Sequence, residues 1–275
     1  MPSCGAILVG LVMMILSVVA LARVFLHCLR STPRHRRCIA VLARKQPRGK
    51  YHALESRQRA LDALPWTAGW DQIIFHEGNI NPEACGIDAR YVDVSATFRK
   101  LGDGAMPPSS LCKELPLSQF FLGYRSMCLF WFDDFLSYVD GYDMLLRIDD
   151  DCRLLPGQAE PTLPVGFHFA TTQVGGCDAT FVTDGMHKLF KSLQPETDFE
   201  TCVNPYTNVM CVDLAWARAT RAAKRPILDS QCIKINQWGD LPLWGAYLKM
   251  LGESLVQLGL SYKHDSHGAH VTPNF

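Results

Sequence analysis

The feature that most constrains the fold of this chain is a hydrophobic segment that ends directly in three consecutive aspartates. Tyr142 to Ile148 has the composition of a buried β-strand, and Asp149, Asp150 and Asp151 follow without an intervening turn. In a parallel α/β sheet, ligands bind beyond the carboxyl ends of the strands, so Asp149 and Asp151 are predicted to face a ligand crevice. Hard cations such as Mg²⁺ and Mn²⁺ take carboxylate ligands and bridge to substrate phosphates. The segment therefore indicates a metal-dependent site, and a solvated acidic turn is an equal alternative from these residues alone.

Apolar runs of strand length alternate with segments of helical spacing along the rest of the chain. The predicted strands are 38–43, 72–75, 91–94, 142–148 and 165–171, and the predicted helices are 50–64, 117–138, 180–193, 208–223 and 243–258. This alternation is typical of an α/β fold with a mostly parallel sheet flanked by helices. A chain of 275 residues is long enough for one large domain or two small ones.

The chain begins with an apolar segment of membrane-spanning length. Residues 4–22 carry no charge, and at about 1.5 Å per residue they nearly cross the hydrocarbon layer; residues 24–29 extend the segment past Arg23. We predict a transmembrane signal anchor over residues 1–29, a basic stem over 30–37 and a catalytic domain over 38–275. Ala20 to Ala22 fits an A-x-A cleavage site, so a cleaved signal peptide is the alternative.

The formal net charge of zero is the sum of two unlike parts. The chain has 27 Lys and Arg against 27 Asp and Glu, but residues 1–50 hold nine of the basic residues and no acidic ones. The remainder therefore carries a net charge of −9. A neutral total argues against a nucleic-acid-binding protein. The arginines that follow the apolar segment favour a cytoplasmic location for that side of the membrane.

Several polar residues stand where predicted strands and helices end. Arg44 closes the first strand, where it either neutralises a phosphate or continues the basic stem. Tyr124 and Arg125 are the polar members of an aromatic-rich segment. Asp240 is placed to cap a helix, which is also its simplest structural role. His264 begins a series of three histidines spaced by three residues, either an exposed polar tail or a source of a further metal ligand.

The order of these segments resembles glycosyltransferase family 15, the fungal alpha-1,2-mannosyltransferases of the secretory pathway, over residues 38–265. Each resembling segment matches a short family motif: Y-R-S-M-C-L-F-W at 124–131 looks like Y-R-x-M-C-R-F, L-R-I-D-D-D at 146–151 like W-R-V-E-P-D, and Q-W-G-D-L-P at 237–242 like R-W-G-D-A-P. The segment that holds Asn208 and Asp213 is similar to S-N-F-E-I-G-D, and Y-K-H at 262–264 is similar to a Y-x-H near the end of the family. The strand ends at 42–44 and 75–78 support the same order.

The resemblance implies a GT-A nucleotide-diphospho-sugar transferase fold and a Mn²⁺ (or Mg²⁺) cofactor. It implies a nucleotide-sugar donor, GDP-mannose, and a glycan or glycoprotein acceptor. Carried over by position, Asp149 and Asp151 would hold the metal and the diphosphate, with His264 as the hypothetical further ligand. The other implied site residues divide into substrate-binding Arg44, Tyr124, Arg125, Asn208 and Trp238 and catalytic Asp240 and Asp213. The family would place the domain in the lumen of the Golgi or ER, as a single-pass type II membrane protein.

Two positions depart from the family pattern. The glutamate that is the family's candidate nucleophile falls at Met210, and a family histidine falls at Trp244. Methionine cannot attack an anomeric carbon or stabilise an oxocarbenium ion as a carboxylate does. Two alternatives therefore stay open: a nucleotidyltransferase-like enzyme that uses the same aspartates, and a degenerate, non-catalytic glycan-binding module.

Overall fold

The structure is a computed structural model, and it describes residues 36–43, 51–102, 119–175, 185–235, 238–265 and 269–271. The strands, in chain order, are β1 (Arg37–Leu42), β2 (Asp71–His76), β3 (Arg90–Asp93), β4 (Met144–Ile148), β5 (Cys152–Leu154), β6 (Phe169–Thr171), β7 (Val174–Gly175), β8 (Asn204–Pro205), β9 (Val209–Asp213), β10 (Leu255–Gln257), β11 (Tyr262–His264) and β12 (Ala269–Val271). The α-helices are α1 (His52–Asp62), α2 (Pro82–Cys85), α3 (Ser95–Gly102), α4 (Gln119–Phe132), α5 (Met186–Leu193), α6 (Leu214–Ala219), α7 (Arg225–Asp229), α8 (Cys232–Ile235) and α9 (Asp240–Leu251).

The predicted signal anchor over residues 1–29, the basic stem up to residue 35 and Arg44 lie outside the described residues. Within the ranges that are described, no helix combines the length and the apolar character needed to cross a bilayer.

Seven strands form the central sheet, in the order β10-β6-β9-β4-β1-β2-β3. β1 is parallel to both of its neighbours, β2 and β4, and β3 continues this parallel set beside β2. β9 runs antiparallel to both β4 and β6, and β10 is parallel to β6. The predicted α/β fold with a mostly parallel sheet is therefore confirmed.

Both faces of the sheet are covered, which explains the continuous hydrophobic sequence of its central strands. Leu145 of β4 packs in a cluster with aromatic residues of α4 and α9 on one face. Leu146, the next residue, packs on the other face with residues of α1 and of the small sheet β12-β11-β5. The site at the carboxyl end of β4 is consequently held from two sides.

The predicted helix over 208–223 is wrong in its first half. Residues 209–213 form β9, and α6 begins only at Leu214. The strand lies between β4 and β6 with Val209 to Val212 fully buried, so it has no polar face that would produce a two-residue alternation. The predicted helix over 243–258 likewise ends at Leu251, because Gly252 adopts a left-handed conformation (φ 69°) that terminates α9 before β10.

Candidate active site

Arg147 is the centre of a buried polar network at the carboxyl end of β4. Its Nε and Nη2 atoms donate hydrogen bonds to the two carboxylate oxygens of Asp149, at 2.7 and 3.0 Å. Its Nη1 atom donates to Oδ2 of Asp240 at 2.6 Å. The guanidinium also lies over the ring of Trp131, 4.7 Å from the centroid. These contacts fix one carboxylate of the aspartate triplet and the first residue of α9 to the same cation.

The charges of this network depend on one another. Burial alone would lower the pKa of Arg147, but the carboxylates of Asp149 and Asp240 outweigh burial and hold that pKa above its usual range. Burial raises the pKa of Asp149, and Arg147 opposes the rise. Because unpaired buried charges are costly, loss of any one of the three would leave its partners uncompensated.

Asp240 contributes its side chain to the site and does not cap its own helix. Gly239 is the N-cap residue of α9, and no side chain forms a cap there. Oδ2 of Asp240 accepts a second hydrogen bond, from Oγ1 of Thr207, at 2.8 Å. A Cβ atom at Gly239 would lie 3.1 Å from the hydroxyl oxygen of Tyr124, so α4 closely approaches this turn. The Trp-Gly-Asp turn therefore packs against α4, and Asp240 at its end contacts Arg147.

Asn208 joins the triplet to the carboxyl-terminal strands. Its Nδ2 atom donates to Oδ2 of Asp149 at 3.2 Å and lies 3.3 Å from Nε2 of His264. Its carbonyl oxygen accepts a hydrogen bond from the backbone N–H of Asp149 at 2.9 Å. One side chain thus contacts both Asp149 and a histidine far along the chain.

Three side chains next to this network can hold a metal ion. Asp151, Cys152 and His264 each place a ligand atom within 4.8 Å of the others. Antiparallel pairing of β5 and β11 puts His264 opposite Cys152, and Nδ1 of His264 lies 3.9 Å from Oδ2 of Asp151. The backbone N–H of Asp265 donates to the carbonyl oxygen of Asp151 and holds the turn in place.

The donor set fits a divalent cation that prefers oxygen and nitrogen. A carboxylate from Asp151 and an imidazole from His264 are ligands that Mn²⁺ accepts. Burial, reinforced by the neighbouring aspartates, raises the pKa of the Cys152 thiol. A protonated thiol is a poor ligand, so Asp151 and His264 are the members of the group that suit Mn²⁺ or Mg²⁺.

Solved structures with a similar fold are mannosyltransferases. Core-mannan synthase A (CmsA/Ktr4) from Aspergillus fumigatus, in an Mn/GDP form, aligns over 85% of this chain and 76% of its own, with 15% identity and a TM-score of 0.61. The mannosyltransferase Ktr4p from S. cerevisiae aligns over 85% of this chain and 72% of its own, with 11% identity and a TM-score of 0.58. Its complex with GDP gives 13% identity and a TM-score of 0.57. The chain has the fold of these mannosyltransferases. No protein-family model and no curated protein sequence matches it.

The structure brings most of the expected site residues to one edge of the sheet. Five of them are joined by the contacts above: Asp149, Asp151, Asn208, Asp240 and His264. Trp238 is fully buried next to Asp240, and Arg125 is buried in α4. Burial raises the pKa of Tyr124 well above its usual range, so this phenol stays protonated.

Asp213 does not join this group. It pairs with Met144, the first residue of β4, and therefore lies at the opposite edge of the sheet from Asp149. Its carboxylate caps α6 by accepting a hydrogen bond from the backbone N–H of Trp216 at 2.8 Å. The structure gives Asp213 a capping role, in place of the catalytic role that the family motif implied.

Sequence reasoning missed three contributors to the site: Arg147, Thr207 and Arg57. Arg57 of α1 is buried, and its Nε atom donates to the carbonyl oxygen of Ile148 at 3.2 Å. Burial lowers the pKa of Arg57 to about 10, and Asp150 and Asp149 oppose that shift. A charged residue inside a hydrophobic strand was a usable signal for Arg147, because such a residue needs a buried partner. Thr207 and Arg57 carried no comparable signal.

Proposed function

We propose that this protein is a metal-dependent glycosyltransferase of the mannosyltransferase type, a divergent member of glycosyltransferase family 15 with a GT-A fold. It would transfer a mannosyl group from GDP-mannose to a glycan or glycoprotein. The observation that carries the proposal is the meeting of Asp149, Asp151 and His264 at the carboxyl edge of the central sheet. The fold supports it, since a similar structure is described in an Mn/GDP form.

Asp151 and His264 would hold the metal, Mn²⁺ or Mg²⁺, which supplies positive charge to stabilise a leaving diphosphate. The chain's own residues organise the surroundings. Arg147 holds Asp149 by two hydrogen bonds and so orients the triplet turn. Asn208 spans the distance between Asp149 and His264. The side chains of Asp149 and His264 are thus prepositioned before any substrate binds, which lowers the cost of ordering the site.

Asp240 is the proposed contact for the transferred sugar. Thr207 and Arg147 both donate to its Oδ2 atom, so its carboxylate is held in one orientation. Tyr124 lies against the same turn and would line the sugar site. Trp238 and Arg125 are buried, and they stay proposed substrate-binding residues on the family resemblance. Arg44 stays the proposed phosphate contact from the end of the first strand.

The experiment is a donor panel with the purified full-length chain. We expect Mn²⁺-dependent hydrolysis or transfer from GDP-mannose, in preference to UDP-sugars, and loss of turnover with EDTA. Asp151→Ala and His264→Ala should lower both Mn²⁺ affinity and turnover, whereas Asp229→Ala, an exposed carboxylate of α7, should change neither. Unchanged Mn²⁺ affinity in His264→Ala would remove this histidine from the proposed metal site.

The same panel separates the alternatives. Release of pyrophosphate from a nucleoside triphosphate and a sugar phosphate would identify a nucleotidyltransferase. Glycan binding without turnover of any donor would identify a non-catalytic module.

Placement in the Golgi or ER membrane, as a single-pass type II protein with a lumenal domain, is also proposed. It is supported by the apolar segment over residues 4–22 and by the family resemblance. In sealed microsomes, an added protease should leave the domain intact; digestion from the outside would contradict the lumenal placement.

A further inference from the structure

Cys152 lies within the proposed metal site, yet Mn²⁺ chemistry gives it no role. Its side chain is fully buried, and its Sγ atom lies 3.9 Å from Oδ1 of Asp151. Pairing of β5 with β11 places Cys152 directly opposite His264, so the two side chains extend from the same face of the small sheet. The other carboxylate oxygen of Asp151 lies 3.9 Å from Nδ1 of His264. One carboxylate therefore lies between a thiol and an imidazole.

The spacing of these three side chains is close to that around a single tetrahedral ion. Bonds of about 2.0–2.3 Å to Zn²⁺ place neighbouring ligand atoms roughly 3.3–3.6 Å apart. The ligand atoms of Asp151, Cys152 and His264 all lie within 4.8 Å of one another, so small side-chain movements would bring them onto one ion. Carboxylate, thiolate and imidazole are the ligand types of Zn²⁺ sites, whereas Mn²⁺ prefers oxygen ligands to a thiolate.

The charges of the group also fit Zn²⁺. Arg147 already neutralises Asp149 through a salt bridge, which leaves Asp151 as the carboxylate that can balance an ion. A thiolate at Cys152 would add a second negative charge, and His264 would bind as a neutral imidazole. Two anionic ligands cancel the charge of Zn²⁺, and a buried ion is stable only when its charge is compensated.

The surroundings of the thiol close the site on one side. Cys152 packs in an apolar cluster with Leu146 and Ile148 of β4 and with Tyr262 of β11. Closed surroundings of this kind are typical of tightly bound Zn²⁺. Binding would replace the S–H bond of Cys152 with an S–Zn bond and release the proton to water.

We infer that Asp151, Cys152 and His264 form a Zn²⁺ site, in which the Cys152 thiolate is a ligand that Mn²⁺ does not recruit. Zn²⁺ would bind without a nucleotide, because its protein ligands balance its charge. Mn²⁺ would instead draw further oxygen ligands from a diphosphate. That Zn²⁺ inhibits sugar transfer, by excluding Mn²⁺ from the two shared ligands, rests on the proposed function. The Zn²⁺ site itself rests on the geometry of the three side chains.

The test measures the affinities of Zn²⁺ and Mn²⁺ for the purified full-length chain in chelator-buffered titrations, and the absorption spectrum of its Co²⁺ complex. Losing a residue that merely supports a metal ligand typically weakens metal binding roughly 10–100-fold, so we expect Cys152→Ala to weaken Zn²⁺ binding at least about tenfold and Mn²⁺ binding much less. The Co²⁺ complex of the wild type should show a thiolate-to-cobalt charge-transfer band that Cys152→Ala lacks. The matched control is Cys85→Ala, a buried cysteine of α2 outside the group, which should keep both affinities and the band.

Zn²⁺ affinity that is equal in the wild type and in Cys152→Ala would overturn the inference. A charge-transfer band that persists in that variant, or is absent from the wild type, would overturn it as well. Thermal unfolding without added metal verifies the fold of each variant, and Cys152→Ser is the second variant if the alanine protein does not fold.

Failure of the proposed function would look different. No donor would then be turned over with Mn²⁺, yet Zn²⁺ binding would still depend on Cys152. Mn²⁺-dependent turnover together with Zn²⁺ binding that ignores Cys152 would refute this inference alone. In an active enzyme, Zn²⁺ should inhibit Mn²⁺-supported hydrolysis of the donor at lower concentration in the wild type than in Cys152→Ala.

Discussion

Replacing Lys224 with methionine should stabilise the protein and remove a pH dependence of its stability. The side chain is fully buried, and its Nζ atom lies 4.7, 4.5 and 5.2 Å from the ring centroids of Phe132, Trp244 and Tyr247. Its Nζ atom donates a hydrogen bond to the carbonyl oxygen of Phe132. Burial lowers the pKa of Lys224 to about 7, against the attraction of Asp133 and with the repulsion of Arg221.

The magnitude follows from the difference between folded and unfolded states. An unfolded lysine titrates near pH 10.4, so between roughly pH 10 and pH 7 the unfolded chain binds a proton that the folded protein does not. The contribution of Lys224 to the free energy of unfolding therefore falls as the pH is lowered through this window, and it is constant below it. A pKa near 7 corresponds to a penalty of roughly 4–5 kcal/mol at pH 7. Three aromatic faces attract an ammonium group and offset part of it, at about 0.5–2 kcal/mol each.

We expect Lys224→Met to gain about 2 kcal/mol at pH 7 and little at pH 10. The assay is urea unfolding of the wild type and the variant at half-unit steps from pH 6 to pH 10, compared as the difference between the two. Lys188→Met, an exposed lysine of α5, is the control and should show no pH-dependent difference. A variant that is less stable at pH 7, or a difference that is flat across this range, would refute the reasoning, because the aromatic rings would then hold the lysine charged.

Three further changes test the framework of the site. Gly245→Ala should lower the free energy of unfolding by about 1–3 kcal/mol in urea unfolding, because a Cβ atom there would lie 2.7 Å from the carbonyl oxygen of Val203. The control is Gly123→Ala, whose added methyl has no atom within 4 Å. Arg147→Met leaves two buried aspartates without their cation, so urea unfolding should show a loss of about 3–5 kcal/mol. Thr207→Val removes the hydroxyl that donates to the α9 aspartate, and we expect a loss of about 1–2 kcal/mol with unchanged Mn²⁺ affinity in calorimetry.

Local patterns predicted the fold where each element has a distinctive sequence. The hydrophobic run 142–148 followed by Asp149 predicted both β4 and the edge at which it ends, and the structure confirms that strand from Met144. The helix predicted over 209–213 was wrong. This segment is a strand buried on both faces, so its sequence has no alternation, and the residues that follow it, 214–219, are helical. A buried apolar run does not by itself separate a strand from a helix, and here only pairing with β4 and β6 decides.

Most partners within the site lie too far apart in the chain to be read from local sequence. Arg147 bonds to a residue 93 positions away, and Arg57 bonds to a carbonyl 91 positions away. The order of the family motifs did assign Asn208 and Asp240 to the same site. The structure joins both to the network around Arg147 and Asp149. The same reasoning included Asp213, where the motif letter matches but the local backbone uses the side chain as a helix cap.

Met210 occupies the position at which the family resemblance has a carboxylate, and the structure shows why a carboxylate there would lack a cation of its own. Met210 is fully buried and pairs directly with Arg147 across β4 and β9, so the two side chains share a face of the sheet. The guanidinium is already neutralised by Asp149 and Asp240, and a third carboxylate would lack a cation of its own.

Met210→Glu should therefore bury a carboxyl group, and burial should raise its pKa. Because the unfolded chain loses this proton above about pH 4.3 and the folded variant keeps it, the variant's free energy of unfolding should fall as the pH rises above about 4.3. At pH 7 we expect the variant to be about 2–4 kcal/mol less stable than Met210→Gln, a neutral side chain of the same size, in urea unfolding. Equal stability of the two variants, together with a gain of transfer from GDP-mannose in the glutamate variant, would show that Arg147 still has charge to share. A less stable glutamate variant that gains no transfer would show that this position no longer accommodates a carboxylate, and Asp240, held by Arg147 and Thr207, would stay the proposed carboxylate of the sugar site.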